Sequence, residues 1–68
     1  MNKFSIRLNR LLQENGISKY QLAKDSGISK SVLSDYCNGK VQPTAEAIVI
    51  IAKYFDVSAD YLLGLSDI

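Results

Sequence analysis

Histidine is absent from the 68 residues, and cysteine occurs once, at Cys37. The first absence removes the usual zinc sites, the Ser-His-Asp triad and the commonest general base. The second excludes an internal disulfide and any all-cysteine metal site. No apolar run approaches the roughly 18 residues that would span a membrane. The first residues, Met1 to Ser5, carry no apolar h-region of a signal peptide. There is no strand-period alternation, no repeat, no low-complexity segment and no glycine-rich phosphate loop. No pair of carboxylates stands at a spacing that marks acid–base chemistry. An enzyme is therefore not expected. The class that remains is an intracellular, cofactor-free binding module.

What is present is a globular balance: 47% hydrophobic and 22% charged residues. The length fits one domain, 1–68. A core below ~70–80 residues supplies only about 3–5 kcal/mol, so a partner copy is worth considering. The net charge is only +1, but it is unevenly spread. Residues 1–40 hold seven cations and three anions, whereas 41–68 hold one cation and four anions. The front half is net +4 and the rear net −3, a basic face suited to an anion.

Glycines at 16, 27, 39 and 64 and a proline at 43 punctuate the chain. Ser18, Ser29, Thr44 and Ser58 each precede an apolar-periodic stretch, as N-caps do. Gln21, three residues after Ser18, completes a capping-box pattern. The spacing predicts an all-α chain of five helices, over about 4–15, 19–26, 30–38, 45–55 and 59–63. Phe4, Leu8, Leu11 and Leu12 form the inner face of the first. Leu22 and Ala23 point inward from the second, and Leu33, Tyr36 and Cys37 from the third. Ile48, Ile51, Ala52 and Phe55 form the stripe of the fourth.

Residues 18–39 are the informative part. Two short helices meet at a tight turn, Asp25-Ser26-Gly27-Ile28-Ser29. Small Ala23 permits close approach and Gly27 permits positive φ. This is the geometry of a helix-turn-helix, whose second helix enters the DNA major groove. The residues Ser18-Lys19-Tyr20-Gln21-Leu22-Ala23, Ser26-Gly27-Ile28-Ser29, Leu33-Ser34-Asp35-Tyr36, Asn38-Gly39-Lys40 and Pro43 resemble those of the phage-repressor/Xre-type (Cro/repressor-like) helix-turn-helix family. The tail Ile51-Ala52-Lys53 and Asp56 to Gly64 matches that family's last two helices, so the resemblance covers roughly 4–64. It implies a compact five-helix repressor-like domain. Two departures stand out. Lys19 occupies a position where the family usually has a glutamine that holds a phosphate and braces the next helix. Leu12 and Cys37 occupy positions where many members have an Arg–Glu ion pair. Losing one partner would strand a charge at a cost of ~3–5 kcal/mol, whereas losing both leaves an apolar contact. Leu12 and Cys37 are expected to touch.

The outward face of the third helix carries Lys30, Ser31, Ser34 and Asp35, which match the family's base-reading positions. Lys30 can donate to guanine, Asp35 can accept from cytosine, and Ser31 and Ser34 can serve base or phosphate. An idle solvated face is the alternative reading of these four residues. Ser18, Lys19, Ser29, Asn38 and Lys40 are the candidate phosphate contacts, the first three at helix N-termini. For Ser18 and Ser29, capping alone is the simpler role.

The fourth helix is apolar nearly all round. Val49, Ile50 and Tyr54, with Tyr61, Leu65 and Ile68, are candidates for a homodimer interface. The resulting expectation is a cytoplasmic, prokaryotic or phage-encoded regulator, a small repressor that binds a double-stranded DNA operator as a dimer. No cofactor, metal, membrane or small-molecule ligand is expected. The alternative is an antitoxin-like or other interaction module that retains the fold. A toxin-binding extension would separate the two, and none is expected in a sequence running only to Ile68.

Overall fold

Each helix starts on a polar side chain that accepts a hydrogen bond from its first turn, in a computed structural model describing residues 2–68. Asn2 caps α1 (Lys3–Asn15), accepting from Ser5 N at 2.8 Å. Ser18 caps α2 (Lys19–Ser26) and Ser29 caps α3 (Lys30–Cys37). Thr44 caps α4 (Ala45–Phe55), and Ser58 caps α5 (Ala59–Leu63). Each cap satisfies an N–H that has no partner within its helix. No strand forms among the described residues.

The boundaries follow the sequence expectation to within a residue. The third helix stops at Cys37, one residue early. Backbone bonds from Gly39 N to Tyr36 O and from Lys40 N to Asp35 O wrap its end into a turn. α4 ends on Asp56, at φ 56°, the one non-glycine residue with positive φ among those described.

The core takes one fully buried aliphatic side chain from every helix: Leu8, Leu22, Leu33, Ile51 and Leu62. Deleting the buried methyls of any one forfeits about 2–5 kcal/mol, as much as a core of this size supplies in total, roughly 3–5 kcal/mol. α1 packs on α3 and α5, α2 on α3 and α4, and α4 on α5. Phe4 meets Tyr36 edge to face, with ring centroids 5.5 Å apart. Leu12 and Cys37 are both buried in this one cluster.

α4 sits differently from expectation. Ala47, Ile51 and Ala52 are its buried residues, while Ile48 and Phe55 pack at the margin, half-buried. The stripe is therefore turned toward the small Ala47. Tyr54, expected to be uncovered, reaches across to α2, and that reach matches the turn of the helix.

Candidate nucleic-acid interface

α3 is amphipathic in the sense its sequence demands. Leu33, Tyr36 and Cys37 are buried, while Lys30, Ser31 and Val32 are exposed. Ser34 and Asp35 are half-buried, so they stand at the edge of the bare face and not at its crest. α2 precedes α3 through a turn in which Gly27 adopts φ 81° and Ser26 Oγ accepts from Ile28 N at 3.1 Å. The hydroxyl takes up a turn donor that the helix can no longer serve.

The candidate phosphate contacts fall at three places. Ser18 and Lys19 open α2, and Ser18 Oγ accepts from Gln21 N at 3.0 Å. Ser29 opens α3, its Oγ accepting from Val32 N at 3.2 Å. A hydroxyl that accepts from the helix keeps its own proton for another acceptor. Asn38 and Lys40 are exposed in the turn that closes α3. The capping box at Ser18 forms only on one side. Gln21 does not reach back, because its amide donates to both oxygens of Asp25, at 3.0 and 2.9 Å. These charge-assisted bonds turn the side chain along the helix toward Asp25, away from Ser18 N.

Among the described residues the one ion pair is Arg7–Asp67, at 3.6 Å. Lys19, Lys24, Lys30 and Lys40 therefore have no carboxylate within ion-pair distance. Arg7 faces the other way. Its guanidinium lies 4.3 Å from the centroid of Tyr61 and donates to Ser66 O at 3.1 Å. It is an internal strap, not part of the basic face.

Two arrangements escaped the sequence reading. Asn9 Nδ2 donates both to Ser5 O within α1 and to Cys37 O at the end of α3, each at 2.9 Å. Asn9 also lines an open groove of about 470 Å³ between the end of α1 and the start of α2, with Gln13, Ser18 and Lys19. The second arrangement is the Gln21–Asp25–Tyr54 chain, closed by Tyr54 Oη donating to Asp25 Oδ2 at 2.6 Å. The Gln21 amide, then the Tyr54 hydroxyl, hold the Asp25 carboxyl below its ordinary range. The same bond to Asp25 pushes the Tyr54 phenol up. Burial pushes the Cys37 thiol up, which keeps it protonated and unreactive.

Of the six candidate interface residues, Val49, Leu65 and Ile68 are exposed, at 49%, 76% and 90%. Ile50 is half-buried. Tyr54 and Tyr61 are half-buried and held inside the chain, by Asp25 and Arg7 respectively. That corrects the expectation that Tyr54 lacks cover. No helix among the described residues is long and apolar enough to cross a membrane.

A helix-turn-helix family model matches residues 8–62, spanning all but the edges of this five-helix arrangement. The chain belongs to the Xre/Cro-like helix-turn-helix family. This helix-turn-helix protein is 39% identical over 61 residues to the uncharacterized HTH-type transcriptional regulator YobD of Bacillus subtilis, covering 90% of this chain and 54% of YobD. It is 31% identical over 62 residues to the HTH-type transcriptional activator BcrR of Enterococcus faecalis, covering 91% of this chain and 30% of BcrR. Its fold is similar to the crystal structure of a transcriptional regulator from Listeria innocua, with TM-score 0.82 and 31% identity, over 90% of this chain and 57% of that one. The chain thus spans about half the length, or less, of these relatives.

Proposed function

We propose that the chain is a sequence-specific double-stranded DNA-binding module of a transcriptional regulator, which reads the major groove with α3. The observation that carries this reading is the division of α3 into a locked side and a bare one. Leu33, Tyr36 and Cys37 fix it in the core, and Lys30 and Ser31 stand clear of every other helix's polar contacts. Lys30, Ser31, Ser34 and Asp35 would meet base edges. Ser18, Lys19, Ser29, Asn38 and Lys40 would hold the backbone on either side and set the register. The names of the relatives support a regulatory role.

Regulation by repression, through occupation of an operator, is part of the proposal, although one relative is named an activator. So is a homodimer. Two or three phosphate contacts per copy give weak binding that falls with salt, and two half-sites one helical turn apart remedy that. Val49, Ile50, Leu65 and Ile68 offer the apolar surface for such pairing, at the margin of which Tyr54 and Tyr61 lie.

The test is a salt-titrated binding assay on DNA from the gene's own promoter and on random duplex. Tighter binding to the promoter, with log affinity falling by roughly 0.9 per phosphate neutralised per log unit of salt, supports the reading. Equal affinity for both DNAs refutes it.

A further inference from the structure

α3 is held to the rest of the molecule by two kinds of force with different directional demands. Leu33, Tyr36 and Cys37 bury apolar surface, an attraction that has no angular preference of its own. A hydrogen bond weakens steeply as its angle opens. Among the described residues, one hydrogen bond reaches α3 from another helix: Asn9 Nδ2 to Cys37 O, at 2.9 Å. It falls on the last residue of α3, whose carbonyl has no partner further along its own helix. The same Nδ2 also donates to Ser5 O, one turn earlier in α1. That second bond fixes the rotamer of Asn9, so the donor aimed at α3 is itself anchored.

We propose that Asn9 is a positioning residue for the DNA-reading helix: it pins the C-terminal end of α3 to α1 and thereby sets where Lys30 and Ser31 stand. The inference rests on the reading that α3 meets DNA. The leverage is geometric. Eight residues of α-helix span about 12 Å, so a 10° tilt about the Asn9 end moves the Lys30 end by about 2 Å. Recognition geometry tolerates only about 0.5 Å. Asn9 touches no base in this scheme and acts through α3 alone. Its loss therefore falls on discrimination between DNAs more than on binding to DNA in general.

Four proteins test this on promoter and random duplex at fixed salt: wild type, Asn9→Ala, Asn9→Ser and Asn9→Gln. Serine at this position can still bond Ser5 O within α1 but cannot reach α3, and it serves where alanine lowers the folded population. Glutamine keeps an amide donor on a longer arm. Ala and Ser should each lower the promoter-to-random affinity ratio by roughly threefold to tenfold, with random-duplex affinity unchanged within about twofold. Gln should recover part of the ratio. Amide exchange should quicken at residues 36–38 in the Ala and Ser variants and not in α4. A folded Ser variant that keeps the wild-type ratio overturns the proposal. So does an equal loss on both DNAs, which would mark a merely structural role. A wild-type chain that does not discriminate overturns the DNA reading itself, and this inference with it, and so is a different failure.

Discussion

Tyr54 on α4 donates its hydroxyl to Asp25 on α2 across 29 positions of sequence, at 2.6 Å. This bond joins the helix that leads into the Gly27 turn to the helix behind it. Asp25 also takes both bonds from Gln21, so α2 and α4 are tied through one carboxylate.

That carboxylate makes stability depend on acid. Its folded pKa lies below the ordinary value, first through Gln21 and then through Tyr54. A depressed acid contributes stability above its unfolded pKa, about 4, and loses it as pH falls through the folded value. Urea midpoints measured from pH 7 down to pH 2 should therefore fall less for Asp25→Asn than for wild type. A parallel decline in both proteins would show that the bond carries no linkage. At high pH the raised Tyr54 phenol acts in the opposite sense. Its contribution is complete below the unfolded value near 10 and disappears as pH rises through the folded one. Tyr54→Phe should flatten that limb.

Gly64 closes α5 at φ 79° against the start of α1. A Cβ built there would lie 2.8 Å from the Cβ of Lys3. Gly27 has φ 81° and open space around it. Gly27→Ala should cost about 1–2 kcal/mol, the left-handed penalty alone. Gly64→Ala adds a clash and should cost about 1–3 kcal/mol more. Urea titration of the two variants checks the order; a Gly64→Ala protein as stable as Gly27→Ala would contradict it.

Asp56 ends α4 in the left-handed region, where glycine is the unstrained residue. Asp56→Gly should raise stability by about 0.5–1 kcal/mol, the relief being partly offset by the freer unfolded chain. Thermal melting shows the sign directly, and a lower midpoint would count against strain at this position.

Arg7 is only 11% exposed and binds Tyr61, Ser66 and Asp67 together. Arg7→Ala should quicken amide exchange in the segment after α5 and destabilise the chain by roughly 1–2 kcal/mol. Arg7→Lys should not restore it, since an ammonium lacks the planar fork. Affinity for random DNA should barely move in either variant. A large drop would return Arg7 to the basic face.

The helix boundaries were legible because each start carries a hydroxyl or amide cap and every end but that of α4, which Asp56 closes, has a glycine within two residues, signals held within four residues. The inner and outer faces of α3 were legible for the same reason: Leu33, Tyr36 and Cys37 fall on one side at helical spacing. The turn of α4 was not, since Ala47 and Ile48 are equally apolar in a pattern and only packing chooses between them. Tyr54–Asp25 joins residues that no local period links. Asn9 sits beside the Leu8–Leu12 stripe, one turn after Ser5; a lone small amide there was the available signal. Nothing in the sequence says that its second bond lands on α3.

The bare side of α3 as the reading surface is open to one direct measurement. Duplexes selected from a random pool by the wild-type chain would be compared with unselected DNA for Lys30→Ala and Lys40→Ala. Lys30→Ala should lower the selected-to-unselected affinity ratio by about 1–3 kcal/mol equivalent. Lys40→Ala should weaken both DNAs alike and reduce the salt slope by about 0.9. If Lys30→Ala leaves the ratio intact, or lowers both affinities as Lys40→Ala does, α3 does not read bases through this face.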